Sequence, residues 1–274
     1  MMIIKQLHTT SIHTIIDCFL LAFDQYFVEM PSDKVYYIER WKAAQVDFAL
    51  SYGMFDDEKL VGFILHAIDN RFGVLTAYNA GTGVISEYRG KRIVKALYQF
   101  AIEDLKQNGI KKSTLEVITE NAKAIKAYEG IGFSTCKTYK CFSGSIHLDN
   151  QETFTIVNTD IHKVDWDNLP NQSYYSWDNQ KASVLNGGYL FYTVLSNNLP
   201  ESYFIIKPNS NYIAQCDVLK SGNTAWNRLF SAIYSLSETV KINNVDTRLI
   251  DKLQYFETIG LENKIDQYEM ELDL

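Results

Sequence analysis

Residues 89–92 read Arg-Gly-Lys-Arg, a run that joins cationic side chains to a flexible backbone turn. Before it the chain reads as a strand ending near Ile85. After it Ile93, Leu97, Phe100, Ala101 and Leu105 recur at helical spacing. A strand entering a helix through such a turn leaves the first helical N–H groups without partners, at the positive end of the helix dipole. Phosphate is the ligand this arrangement suits, and Lys91 and Arg92 strengthen the preference for an anion. Downstream, residues 114–118 read as a buried strand. Asn121 then stands as the cap of a helix carrying Ala124, Ile125 and Tyr128, and Gly132-Phe133 returns the chain to a further strand.

Taken in this order, residues 82–133 resemble the acetyl-CoA-binding core of the GNAT superfamily of N-acetyltransferases. That family's first motif, Arg/Gln-x-x-Gly-x-Gly/Ala, falls on Arg89-Gly90-Lys91-Arg92-Ile93-Val94, with Arg92 and Val94 in place of the two small residues. The second motif is matched at Leu115, Glu116, Val117, Asn121, Ala124, Tyr128, Gly132 and Phe133.

The resemblance implies acetyl-CoA as acetyl donor and a primary amine, on a small molecule or a peptide, as acceptor. Arg89, Gly90, Lys91, Arg92, Ile93 and Val94 would hold the pyrophosphate. The backbone at Val84 and Ile85 would pair with the pantetheine arm and polarise the thioester carbonyl, and Asn121 and Ala124 would line the same arm. Tyr128 would protonate the leaving thiolate, and Glu116 would serve as base, as in the branch that acetylates ribosomal-protein N-termini. A carboxylate on a largely buried strand is expected to have a raised pKa. Tyr26, Phe27, Tyr78 and Asn79 would face the acceptor. Each residue also has a structural reading: Tyr128 as a packed helix residue, Asn121 as a cap, Glu116 as a hydrogen-bonding partner with water removing the proton. Two other functions stay open, a non-catalytic acyl-CoA-binding or regulatory module and a purely structural tandem domain.

Those residues need a frame. Residues 2–7 read as a first strand, 12–23 and 33–41 as helices, and 46–55 with 60–68 as a hairpin around Asp56-Asp57-Glu58-Lys59. Residues 73–85 read as a strand whose glycines signal a bulge or a close backbone approach. His66, alone in an apolar strand, reads as a core residue. The expected class is α/β (α+β), a mixed, mostly antiparallel sheet flanked by helices over residues 1–150. Residues 257–261 echo 129–133, and the elements around them recur in the same order, so residues 151–274 read as a second, degenerate GNAT-like domain. At the same offset Asn244, Leu249 and Phe256 replace Glu116, Asn121 and Tyr128, and the helix-entry turn 220–223 lacks the arginine pattern.

Composition sets outer bounds. A formal net charge of −7 argues against a nucleic-acid partner. The four cysteines show no metal-ligand spacing and are expected as reduced core thiols. The longest apolar run near the N-terminus, residues 18–23, is too short for a signal core or a membrane span, so a cytoplasmic protein without a membrane partner is expected. Oligomeric state is not legible.

Overall fold

Polar caps start the helices of the N-terminal half where the sequence places them. Ser11 Oγ accepts the Thr14 N–H (3.1 Å) at the head of α1 (Ile12–Ala22), and Asp33 Oδ1 accepts the Val35 N–H (2.9 Å) at the head of α2 (Lys34–Ala44). The computed structural model describes residues 1–274 apart from Asn209, Lys220 and Ser221. It separates into two compact units, Met1–Cys136 with Tyr268–Leu274, and Lys137–Gln267.

The first unit holds β1 (Met2–Gln6), α1, α2, β2 (Tyr52–Asp56), β3 (Lys59–Arg71), β4 (Val74–Val84), α3 (Ile93–Gln107), β5 (Lys112–Ile118) and α4 (Ala122–Glu129). Strands β1 to β4 pair antiparallel in chain order, β4 and β5 pair parallel, and residues 268–273 lie beside β5. Consecutive residues Gly62 and Phe63 show how the helices divide. Phe63 stacks on Phe19 of α1 at 5.7 Å, whereas Ile93 of α3 lies against Gly62, so α1 and α3 cover opposite faces.

Two expectations change here. Residues 46–51 do not extend the hairpin, because Asp47 gathers them into a turn. Its carboxylate accepts the Ala49 N–H (2.8 Å) and its carbonyl accepts the Ser51 hydroxyl (2.7 Å). Val46 keeps only an isolated bridge to Ala67. On α3 the buried stripe runs Ile93, Leu97, Tyr98, Ala101 and Leu105, with Phe100 44% exposed. His66 is a core residue: it is fully buried, Nδ1–H donates to the Leu50 carbonyl at 2.7 Å, and burial pushes its pKa down to about 4.

The chain enters the second unit along β6 (Ser134–Ser145) and adds β7 (Thr155–Thr159), α5 (Lys181–Asn186), β8 (Leu190–Ser196), β9 (Leu199–Lys207) and β10 (Tyr212–Val218). It then forms α6 (Asn223–Leu236), β11 (Thr239–Asp246), α7 (Ile250–Thr258) and β12 (Glu262–Asp273). Strands β7 to β10 pair antiparallel in order, β10 and β11 meet in parallel, and β6 pairs antiparallel with β11. The repeat is visible in backbone detail: Asn121 before α4 has φ −83° and ψ 60°, and Leu249 before α7 has φ −84° and ψ 62°. The units divide at residue 136 and not in the polar stretch 149–151, because β6 leads into the sheet of the second unit through its pairing with β11. In the turn 220–223, Lys220 and Ser221 lie outside the described residues.

Candidate active site

The parallel pairing of β4 and β5 lasts only from Thr76↔Lys112 to Asn79↔Leu115. Beyond it the strands part. A bulge in β4 accompanies the parting: Gly81 faces Leu65 and Asn79 faces His66, leaving Ala80 as the extra residue. Gly81 and Gly83 are needed on the α1 side, where a Cβ would stand 3.0 Å from the Phe19 ring and 2.7 Å from Ala22 Cβ. Past the bulge the two candidate backbone groups divide. Ile85 N–H donates to Val61 O at 3.1 Å, so it belongs to the sheet. Successive strand amides point to opposite edges, so the Val84 N–H faces the side from which β5 has departed.

After Ile85 a short 3-10 turn, Ser86–Tyr88, leads to the basic run. Arg89 is occupied with the fold: Nε donates to Val84 O (3.2 Å) and a terminal nitrogen to Ala22 O (2.8 Å), tying the end of β4 to the end of α1. Gly90 (φ +80°) and Arg92 (φ +59°) both take the left-handed conformation, and Lys91 lies 4.3 Å from the Tyr88 ring centre. Among the described residues, the N–H groups of Gly90, Lys91, Arg92, Ile93, Val94 and Lys95 find no acceptor. Ile93 is buried and Val94 half-buried, while Arg92 points into solvent. Six open amides with exposed cationic side chains fit a pyrophosphate, so the residues present suit coenzyme A.

Arg92 occupies the place of the family's first small residue in a conformation glycine adopts freely. The left-handed region costs an ordinary residue about 1–2 kcal/mol, offset by about 0.4–1 kcal/mol for the greater unfolded-state freedom of glycine. Arg92→Gly is therefore expected to raise stability by about 1 kcal/mol, a Tm gain of a few degrees in thermal unfolding without ligand. A drop in Tm would mean that the arginine side chain holds contacts that outweigh its backbone.

Tyr128, on α4, is 9% exposed and packs edge-on against Tyr98 and Phe133, both at 5.9 Å. Asn121 caps this helix as expected, accepting the Ala124 N–H at 3.2 Å, and Ala124 is half-buried. Burial pushes the Tyr128 phenol up to about 12; Thr82 and Asn79 pull it back, and Tyr26 adds to the rise. Asn79 is buried and fully engaged, donating to Tyr98 Oη at 2.7 Å and accepting the Gly81 N–H at 3.0 Å. It holds the bulge together instead of facing an acceptor. Tyr26, half-buried after α1, hydrogen-bonds with Asn121, and Phe27 beside it is 52% exposed.

Tyr78 is 4% exposed, paired with Thr114, so it shares a sheet face with half-buried Glu116 two residues on; Asn79 lies on the other face. Thr82 and Tyr98, which the family motifs do not include, complete the cluster. Their one sequence signal is a polar group within otherwise apolar or glycine-rich periodicity. Among the described residues no group of histidine, cysteine or acidic side chains is placed to hold a metal.

The open amides of the α3 entry thus stand beside parted parallel strands, with the buried Tyr128 phenol next to Thr82 and Asn79 of β4. Residues 15–133 match the acetyltransferase (GNAT) family model, and this part of the chain is a GNAT domain. N-alpha-acetyltransferase 30 of Schizosaccharomyces pombe is 27% identical over 103 residues, 37% of this chain; the match spans 65% of that protein's length. A tandem GNAT protein from the clavulanic acid biosynthesis pathway has the same fold, with a TM-score of 0.70 at 13% identity over 100% of this chain and 98% of that one. A putative acetyltransferase from Pyrococcus horikoshii superposes with a TM-score of 0.71 at 13% identity, over 100% of this chain and 89% of that one. No helix among the described residues is long and apolar enough to cross a membrane.

Proposed function

We propose that the first unit is an acetyl-CoA-dependent N-acetyltransferase whose acceptor is a primary amine of a small molecule or peptide, attacking directly. The observation that carries the reading is the meeting of three features: open amides at the α3 entry, the free edge of β4, and Tyr128. Coenzyme A in its acetylated form supplies an activated thioester. The amides of residues 90–95, with Lys91 and Arg92, hold its phosphates. Val84 N–H faces the thioester oxygen and stabilises the charge that develops there. Glu116 takes the proton from the attacking amine, and Tyr128 Oη gives one to the leaving sulfur. Tyr26 and the exposed Phe27 form an aromatic wall for the acceptor. The second unit, without counterparts of Glu116, Asn121 and Tyr128, supports the first.

Thermal unfolding with and without acetyl-CoA tests this. A ligand at 100 times its dissociation constant adds about 2.7 kcal/mol, a Tm rise of roughly 5 °C or more for a chain of this size. Lys91→Glu, which alters only an exposed residue of the turn, is expected to lose most of that rise while unfolding normally without ligand. Amine-dependent release of the free thiol then separates an enzyme from a binding module. No shift in the unaltered protein at millimolar acetyl-CoA sinks the proposal.

A further inference from the structure

One group in the cluster around Tyr128 has no task in the reaction outlined above. Thr82 lies on β4 opposite Ile64, and its Oγ1 is buried beside the Tyr98 and Tyr128 phenols without a well-formed hydrogen bond among the described residues. A buried hydroxyl left unpaired is uncommon and destabilising, and calls for a reason. Its surroundings supply one. Asn79 is fixed at both ends of its amide, by Tyr98 Oη at 2.7 Å and Gly81 N at 3.0 Å. The rings of Tyr98 and Tyr128 meet edge-on at 5.9 Å, and Phe133 closes the triangle at 5.5 Å and 5.9 Å, so neither phenol is free to swing away. Thr82 stands close enough to both phenol oxygens to favour their ionised forms.

Resting on the reading of Tyr128 as proton donor, we propose that Thr82 is its positioning residue, donating its O–H to the Tyr128 oxygen once the phenol has released its proton. In that step the Tyr128 O–H bond breaks, the S–H bond of the leaving thiol forms, and the electron pair stays on the phenol oxygen. The Thr82 hydrogen turns onto that oxygen, and water later returns the proton. A hydroxyl suits the task because it rotates about one bond and either accepts or donates at the same place, whereas an ammonium only donates. The other titratable groups bearing on this phenol are Tyr26, from the loop after α1, and Tyr98, from α3.

The test reads the phenol directly and needs no turnover. Tyr128 is replaced in the full chain by a fluorinated tyrosine, whose phenol ionises at lower pH, and its titration is followed by fluorine NMR. Thr82→Val, which keeps the shape and removes the hydroxyl, is expected to raise the midpoint by about one pH unit. That is tenfold in ionisation constant, the scale of one hydrogen bond to a charged oxygen. Thr82→Ser should restore it. With the natural tyrosine in place, Thr82→Val should lower kcat about tenfold with the KM for acetyl-CoA unchanged. Equal midpoints in the unaltered and valine proteins overturn the proposal. If the valine protein does not fold, Thr82→Ser and Thr82→Ala differ by the hydroxyl alone, and equal midpoints in that pair overturn it as well. A shift found in a protein that acetylates no amine leaves the hydrogen bond standing and overturns the acetyl-transfer reading alone.

Discussion

Tyr128→Phe is expected to lower kcat by about 10²–10⁴, the usual span for losing a positioned general acid, while the thermal shift with acetyl-CoA persists. The geometry makes the two readouts separable. Phenylalanine keeps the edge-on contacts with Tyr98 and Phe133, so α4 and its cap at Asn121 are expected to stay in place. Only the hydroxyl is lost. Burial holds the phenol near 12, above its ordinary value, so it stays protonated throughout the range in which the protein is assayed. The kcat profile should therefore show no alkaline loss below about pH 10, and its rise with pH should report the base and the acceptor amine. A loss under about threefold at every pH would hand the proton to water and return Tyr128 to packing. A lost thermal shift would mean that the hydroxyl serves binding and not proton transfer.

How much of this was legible depends on how local the determining physics is. Capping acts within one helical turn, so the cap Asn121 and the helix starts near residues 12 and 33 were legible, and the structure supplies Ser11 and Asp33 as the capping side chains of the first two helices. The bulge was readable from Gly81 and Gly83, since only missing side chains admit Phe19 and Ala22 so closely. The strand limits at 46–51 were not, because Asp47 recruits its own neighbours into a turn and overrides their apolar character. The unit boundary was hidden too: a polar stretch marks a loop, but which sheet β6 joins is decided by its distant partner β11.

Site residues divide along the same line. Glu116, Asn121 and Tyr128 stand at motif spacing, whereas Thr82 and Tyr98 are defined only by the fold that brings β4, α3 and α4 together. Ile85 and Val84 were indistinguishable until the strand register showed which amide the sheet uses. Residues 160–187 carry little helical periodicity, and in the structure short 3-10 turns and a buried polar network replace it. Gln172, Asn179 and Tyr203 meet Gln215 there, and a network of that kind leaves no apolar period to read.

That network reaches its most consequential point at Lys252, where the second unit offers the other large prediction. Lys252 stands at the repeat position of Ala124 but is 4% exposed, with its ammonium 2.8 Å from a carboxylate oxygen of Asp217, itself 2% exposed. Tyr175 donates to the other oxygen of Asp217 and accepts from Lys252 at 3.3 Å, while Asn171 adds a donor at 2.9 Å. A buried pair is worth little against an apolar replacement, but removing one partner strands the other charge. Lys252→Met is therefore expected to cost about 3–5 kcal/mol in the unfolding of the second unit, followed by urea titration. Asp217→Asn on the same background removes the stranded charge, keeps an acceptor for Asn171, turns its amide N–H toward the Tyr175 oxygen that Lys252 has vacated, and should recover much of the loss. Equal stability of the single and double variants would show that packing, not charge, is at stake. The same cluster bears on ligand stoichiometry. A buried lysine and its carboxylate partner stand at the helix–strand junction where the first unit has half-buried Ala124, and Leu249 replaces the cap Asn121. Titration calorimetry should accordingly find one acetyl-CoA per chain, with an affinity that Lys91→Glu weakens.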